Sequence, residues 1–260
     1  RLYYEFSLRK RLKRTKPVID PPRTRRIRPP VGTPDSIRLS SSIVRSCNAI
    51  IVGRGANFIL KPEERFAVRV IAPQETRVKN VAFAHGISLR EAEKRIKNRN
   101  ARRKAFVREN FGERIEDPLN YDLIINTAAY TQVDKAETQE ALAFKINKTG
   151  CAHLARICAK KLIPLVHIST DYVFDGQKGA AYRETDPISP LGVYGRSKSE
   201  GEIEIRSILK EHIILRTSWL YGVHGQNFVK TMLGLASGQK EIREVSDQYA
   251  SPTNATDLGQ

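Results

Sequence analysis

Apolar positions in the second half of the chain alternate between two rhythms. Short apolar runs at 123–125, 165–168 and 212–217 read as buried strands. Between and after them lie helical spacings over 137–159, in two pieces divided near Asn147, over 194–209 and over 228–237. Strand and helix in turn predict the α/β class: a parallel sheet with helices on both faces. Ligands of such sheets bind beyond the C-terminal ends of the strands.

The first half is patterned differently. Prolines at 17, 21, 22, 29, 30 and 34 forbid a long helix over much of the first 42 residues, and 3–14 reads as a short basic helix. From 43 to 120 the pattern predicts a strand at 50–52, another at 66–71 and a polar helix near 75–83. A capping box at Ser88 and Glu91 follows, then a strongly basic helix over 91–109. The segment Gly53-Arg54-Gly55-Ala56-Asn57 lacks the third glycine of a dinucleotide loop.

Charge sharpens this division. The net charge of +17 sits entirely in residues 1–120, with 29 Lys/Arg against 12 Asp/Glu; residues 121–260 hold 16 of each. The step predicts a boundary close to Tyr121. A basic arm for nucleic acid is the functional reading of the first segment, but no aromatic interleaving runs through its Pro-rich part, so nucleic acid is not the expected partner. No apolar run reaches membrane-spanning length and no secretory leader is visible. Three cysteines (Cys47, Cys151, Cys158) make neither a disulfide framework nor a metal-binding pair, which fits a reducing cytoplasm. His153, His167 and His212 lie in apolar surroundings without carboxylate spacing and read as structural.

The candidate chemistry lies between Pro164 and Glu202. The run at 165–168 ends in Ser169-Thr170-Asp171, delivering hydroxyls to a strand end. Tyr194 and Lys198 sit four apart, one turn along a helix face. An ammonium beside a phenol favours phenolate and lowers its pKa, so Tyr194 is the expected proton donor, Lys198 its electrostatic partner and Thr170 the hydroxyl that fixes a carbonyl oxygen, with Ser169 competing for that place. Such a set moves a proton onto a carbonyl while a hydride arrives from elsewhere.

The motifs NTAAYTQVDKAE (126–137), HISTDYVFDG (167–176), SPLGVYGRSKSEGE (189–202), LRTSWLYG (215–222), NFVKTML (227–233) and SDQYASPT (246–253) resemble the extended short-chain dehydrogenase/reductases. The dTDP-4-dehydrorhamnose reductase family is most similar. The resemblance covers about 121–260 and implies a Rossmann-like domain that reduces a 4-keto-6-deoxy sugar nucleotide with NADPH or NADH, in dTDP-rhamnose synthesis. It implies cofactor contacts at Ala128, Ala129, Tyr130, Tyr194 and Lys198. Substrate contacts fall at Tyr172, Trp219 and Asn227, with core packing as the other reading of Trp219. Gln248, Pro252 and Thr253 fall near the nucleotide. A dTDP-sugar is the implied substrate, no metal is implied, and a homodimer is compatible with the family.

Upstream, AIIVGRGANFIL (49–60), VRVIAPQETRVKNV (68–81), ISLREAEKRI (87–96), RKAFVRENFG (103–112) and DPLNYDLIINT (117–127) resemble the cytidylate-kinase-like proteins. There the Arg-rich stretch 95–108 corresponds to a lid over phosphates, yet no G-x-x-x-x-G-K-[ST] loop occurs in this chain. The expected organisation is therefore a fusion. It has a basic Pro-rich segment (1–42), a partial kinase-like α/β segment without a P-loop (43–120), and a reductase-like domain (121–260). This last domain is incomplete at its cofactor-binding front and stops before the family's further substrate lobe. The alternatives are a kinase-like nucleotide-binding module and a non-catalytic binding protein of the reductase fold.

Overall fold

A four-stranded, wholly parallel sheet carries the site, its strands side by side in chain order: Val68–Ile71, Leu123–Asn126, Leu165–Thr170 and His212–Thr217. The computed structural model describes residues 25–27, 49–51, 56–223, 227–238, 241–242 and 250–258. The chain divides into two compact units, Arg1–Arg65 and Phe66–Gln260. In the first, β1 (Arg25–Ile27) pairs in parallel with β2 (Ala49–Ile51), and a short helix α1 (Ala56–Ile59) follows. The expected basic helix at 3–14 and the glycine segment 53–55 lie outside the described residues.

The second unit opens with β3 (Val68–Ile71), which pairs along its length with β4 (Leu123–Asn126). The kinase-like stretch therefore supplies the edge strand of the same sheet, and the sheet runs straight across the charge step at 120/121. Helices α2 (Gln74–His85) and α3 (Leu89–Phe111) connect the two strands. The capping box is present, with the Ser88 hydroxyl accepting the Glu91 N–H and the Glu91 carboxylate accepting the Ser88 N–H. From it one helix of 23 residues runs without a break, burying Ala92, Ile96 and Val107 and leaving most of its cations in water. The Arg-rich stretch 95–108 is the middle of this helix.

After β4 come α4 (Val133–Thr138) and α5 (Glu140–Phe144), then a single π turn at Lys145–Thr149, then α6 (Gly150–Lys161). The division expected near Asn147 is this π turn. Strand β5 (Leu165–Thr170), helix α7 (Val193–Ile208) and strand β6 (His212–Thr217) complete the sheet. Beyond it β7 (Leu220–Tyr221) pairs with β8 (Thr253–Asn254), flanking α8 (Phe228–Ala236), and α9 (Ala255–Leu258) follows.

The core lies on one face of the sheet. Ile124, Leu165 and Ile163 pack with Cys151, Ala155 and Cys158 of α6 and with Ile205 and Leu209 of α7. On the edge strand Val68 and Val70 remain 41% and 62% exposed. The sheet is thus Rossmann-like but small and incomplete. Among the described residues no helix is long and apolar enough to cross a membrane.

Candidate active site at the end of the third sheet strand

Strand alternation sorts the hydroxyls that end β5. His167 and Ser169 face α6 and α7, and Thr170 is the last residue of the strand. The Ser169 hydroxyl donates to the buried Glu202 carboxylate. Glu202 also receives a two-pronged hydrogen bond from Arg216, at 3.0 Å from Nε and 2.6 Å from Nη2, and a weaker one from Arg206. Ser169 is therefore committed to the core, and Thr170 alone of the two remains for a substrate oxygen. Its Oγ1 accepts the Tyr172 N–H at 3.2 Å and donates to Asp171 at 3.1 Å. The same hydroxyl lies close enough to the Tyr194 phenol to act on its pKa.

Helix α7 places Tyr194 by three devices. At its N-terminus the Glu137 carboxylate, from α4, accepts the Val193 N–H at 2.8 Å, so a negative charge meets the positive end of the helix. Gly195 lets the helix press on the chain after β5: a Cβ there would stand 2.2 Å from the Tyr172 carbonyl oxygen. Gly201 does the same against the π turn, with 2.1 Å to the Asn147 carbonyl oxygen. The Tyr194 ring then meets Tyr172 edge-on, with centroids 5.5 Å apart.

Asn147 joins this helix to the turn after β4. Its Oδ1 accepts the Tyr130 N–H at 2.8 Å, and its Nδ2 donates to the Tyr130 carbonyl at 3.2 Å and to the Ser197 hydroxyl at 2.9 Å. Ser197 in turn donates to the Tyr194 carbonyl. Both N–H groups and the oxygen of this buried amide are engaged. Ala128 and Ala129 stay half-buried in the same turn, whereas the Tyr130 ring is buried with Ala136, Ala143 and Val193 and its hydroxyl donates to Gln139.

The electrostatics correct one expectation. Burial raises the Tyr194 phenol above its ordinary range; the Thr170 hydroxyl pulls it back, while Asp171 and Tyr172 raise it further. Lys198 is absent from this balance. The residue is 2% exposed, and its Nζ donates to the Ile168 carbonyl at 2.7 Å and lies 3.3 Å from Nε2 of His167. The lowering that the Tyr–Lys spacing predicts is not realised, because the amine is turned under β5. Burial brings Lys198 down to about 8, opposed by Cys151 and Glu202.

The substrate-side residues are more dispersed. Tyr172 is 40% exposed beside Tyr194. Trp219 adopts a left-handed backbone with φ 42°, rare for so bulky a residue, and packs on Phe228 at 5.3 Å. Asn227 caps α8, its side chain accepting the Lys230 N–H and donating to the Gly222 carbonyl, so both ends of its amide are used locally. Pro252 and Thr253 lie beside β7, where the Thr253 N–H donates to the Ser218 carbonyl, and Gln248 is outside the described residues. Sequence reasoning missed Asn126, Glu137, Glu202 and Arg216. One local signal existed: Lys198 and Glu202 repeat the four-residue spacing of Tyr194 and Lys198 on the same helix.

The fold is Rossmann-like, with Thr170, Tyr194 and Lys198 gathered at or under the end of one strand. A family profile described as RmlD substrate binding domain matches residues 87–260, about two thirds of the chain, and the chain belongs to that family. A second profile, the cytidylate kinase-like family, matches residues 34–129. A dTDP-4-dehydrorhamnose reductase of Sinorhizobium fredii is 50% identical over 137 residues, which are 53% of this chain and 46% of that protein. Among solved structures, the dTDP-4-dehydrorhamnose reductase of Bacillus anthracis in complex with NADP is 33% identical. It has a TM-score of 0.57 and the match covers 75% of this chain and 68% of that one. The enzyme of the same name from Clostridium acetobutylicum gives 33% identity and a TM-score of 0.55, over 74% and 67%. The chain spans about half the length of the curated relatives it matches.

Proposed function

We propose that the chain carries the catalytic half of an NADPH-dependent reduction of a 4-keto-6-deoxy sugar nucleotide, with dTDP-4-dehydrorhamnose as substrate. The observation that supports this most is the meeting of Thr170 and Tyr194 at the C-terminal end of a parallel strand: Thr170 accepts the N–H of Tyr172, whose ring lies edge-on to that of Tyr194. Thr170 holds the substrate carbonyl oxygen and Tyr194 delivers the proton to it. The raised phenol is protonated at neutral pH, the form a proton donor needs. Lys198 lies under the strand end, where burial lowers it to about 8 and so brings the loss of its charge close to neutral pH.

The nicotinamide group, when bound, supplies the hydride. The described residues fit its reactive end: Ala128 and Ala129 leave room for a flat ring, and Tyr194 stands beyond the strand ends. At the pyrophosphate end they do not fit. The strand beside β4 runs through Ala72-Pro73 into α2, with no glycine for close backbone approach and no N–H at Pro73. Weak cofactor affinity follows from that turn.

Tyr130 and Asn227 serve this reading as positioning groups, and Tyr172 and Trp219 as the aromatic wall of the sugar site. A cytoplasmic setting and a homodimer belong to the same proposal. The test is NADPH oxidation with dTDP-4-dehydrorhamnose by the full chain and by Tyr194→Phe, where a loss of at least about 100-fold is expected. Equal rates would remove Tyr194 from the chemistry. NADPH binding without turnover would make the chain a binding protein of the reductase fold.

A further inference from the structure

A buried polar chain runs from the turn after β4 to the lysine of the site. Asn126 accepts the Ala128 N–H on Oδ1 at 3.0 Å, which orients its amide. Its Nδ2 then faces Nδ1 of His167 at 3.0 Å. An amide NH₂ can only donate, so Nδ1 accepts. A neutral imidazole has one donor and one acceptor nitrogen, so the ring proton sits on Nε2. That nitrogen faces the Lys198 Nζ at 3.3 Å and the Cys151 Sγ at 3.9 Å. An ammonium has no lone pair to receive the proton, whereas an amine does.

We propose that His167, locked by Asn126 as the Nε2–H tautomer, is a positioning residue that donates to Lys198 and favours its amine form. The charge on Lys198 is thereby tied to the Asn126–Ala128 turn. Among the described residues, His167 and the Ile168 carbonyl of β5, Cys151 of α6 and Glu202 of its own helix act on the amine, with Asn126 of β4 behind His167 and Cys151. Cys151 and Glu202 favour the ammonium, against His167. Burial keeps Cys151 a thiol rather than a counter-ion, and Glu202 is already taken by Ser169, Arg206 and Arg216. His167 itself is completely buried and, through burial first and Lys198 second, stays uncharged down to about pH 3. The catalytic relevance rests on the reading of Lys198 given above; the tautomer does not.

Two-bond ¹H–¹⁵N correlation spectra of the labelled chain read the tautomer directly, without substrate or cofactor. Protonated Nε2 with bare Nδ1 is expected, and the reverse would overturn the proposal. Asn126→Asp should invert the tautomer, because a carboxylate accepts from both Ala128 and Nδ1. The bare Nε2 then accepts from the ammonium, and the Lys198 ¹⁵Nζ titration should move up by about one pH unit or more. The same substitution in a His167→Phe background separates this from the added charge: the shift should fall to about a third or less. Equal shifts in both backgrounds would sink the role of His167. An inactive chain leaves these readouts intact, and a wrong tautomer leaves the proposed reduction standing.

Discussion

Ser169 donates its hydroxyl to the buried carboxylate of Glu202, and this contact decides which hydroxyl of the strand end is left for chemistry. Two neighbouring residues therefore have different jobs. Thr170→Val should lower kcat/KM by roughly 100-fold, since it removes a hydrogen bond to developing charge, and should cost about 0.5–2 kcal/mol through the lost cap on the Tyr172 N–H. Ser169→Ala should cost about 1–3 kcal/mol by leaving a buried carboxylate oxygen short of a donor, while turnover stays near that of the parent. Parallel urea denaturation and NADPH-oxidation assays check both. A larger activity loss in Ser169→Ala would exchange the assignments.

Gly195 should be intolerant of any side chain. A methyl at that position would meet the Tyr172 carbonyl oxygen at 2.2 Å, and neither atom belongs to a flexible side chain. The helix must move, taking Tyr194 with it. Gly195→Ala should cost about 1–3 kcal/mol in stability. It should also lower kcat by about 100-fold, because a shift of an ångström misplaces the proton donor. Gly234, whose methyl would meet nothing within 4 Å, is the control: Gly234→Ala should be near neutral in both assays.

These contacts separate what was legible in the chain from what was not. Local patterns read true: the Ser88–Glu91 capping box, the strand ending in Thr170, the strand at 212–217 and the break at Asn147 all depend on neighbours a few residues away. The Glu202 cluster depends on Ser169 and Arg216, which are 33 and 14 residues distant, and no periodicity encodes that. The direction of Lys198 was misread for a related reason. Helical spacing puts its Cα one turn from Tyr194, but the Ile168 carbonyl and His167 decide where the amine goes. The charge step at 120/121 was real in composition yet follows no break in the sheet, because solvated cations on α3 and a buried hydrogen-bonded strand pair answer to different forces.

The Glu202–Arg216 pair makes a prediction that runs against simple counting of ion pairs. Glu202 is completely buried, and the Arg216 fork brings it the opposite charge. Arg216→Met should destabilise by up to about 3–5 kcal/mol, since the buried carboxylate keeps only the Ser169 hydroxyl and the longer contact to the exposed Arg206. Joining it to Glu202→Met should recover most of that loss, because the desolvation cost of both charges disappears together. Urea midpoints of the parent, both single variants and the double variant close the cycle. A double variant as unstable as Arg216→Met alone would show that the pair acts by shape rather than charge.

His167 and Lys198 give stability a two-step dependence on pH. The native imidazole stays neutral down to about 3 against an ordinary 6.5, so between those values the unfolded chain binds a proton that the native one refuses. The stability this represents is complete above 6.5 and is lost as pH falls toward 3. Lys198 stands at about 8 against an ordinary 10.5, so the cost of burying its ammonium is fully present below 8 and is relieved as pH rises beyond it. The alkaline step is best read below pH 10.0, where burial keeps the Tyr172 and Tyr194 phenols protonated. Urea midpoints followed across this range should rise through both windows in the parent chain. His167→Gln should flatten the acid rise and Lys198→Met the alkaline one. An acid arm unchanged in His167→Gln would mean that the carboxylates, not this imidazole, drive acid unfolding.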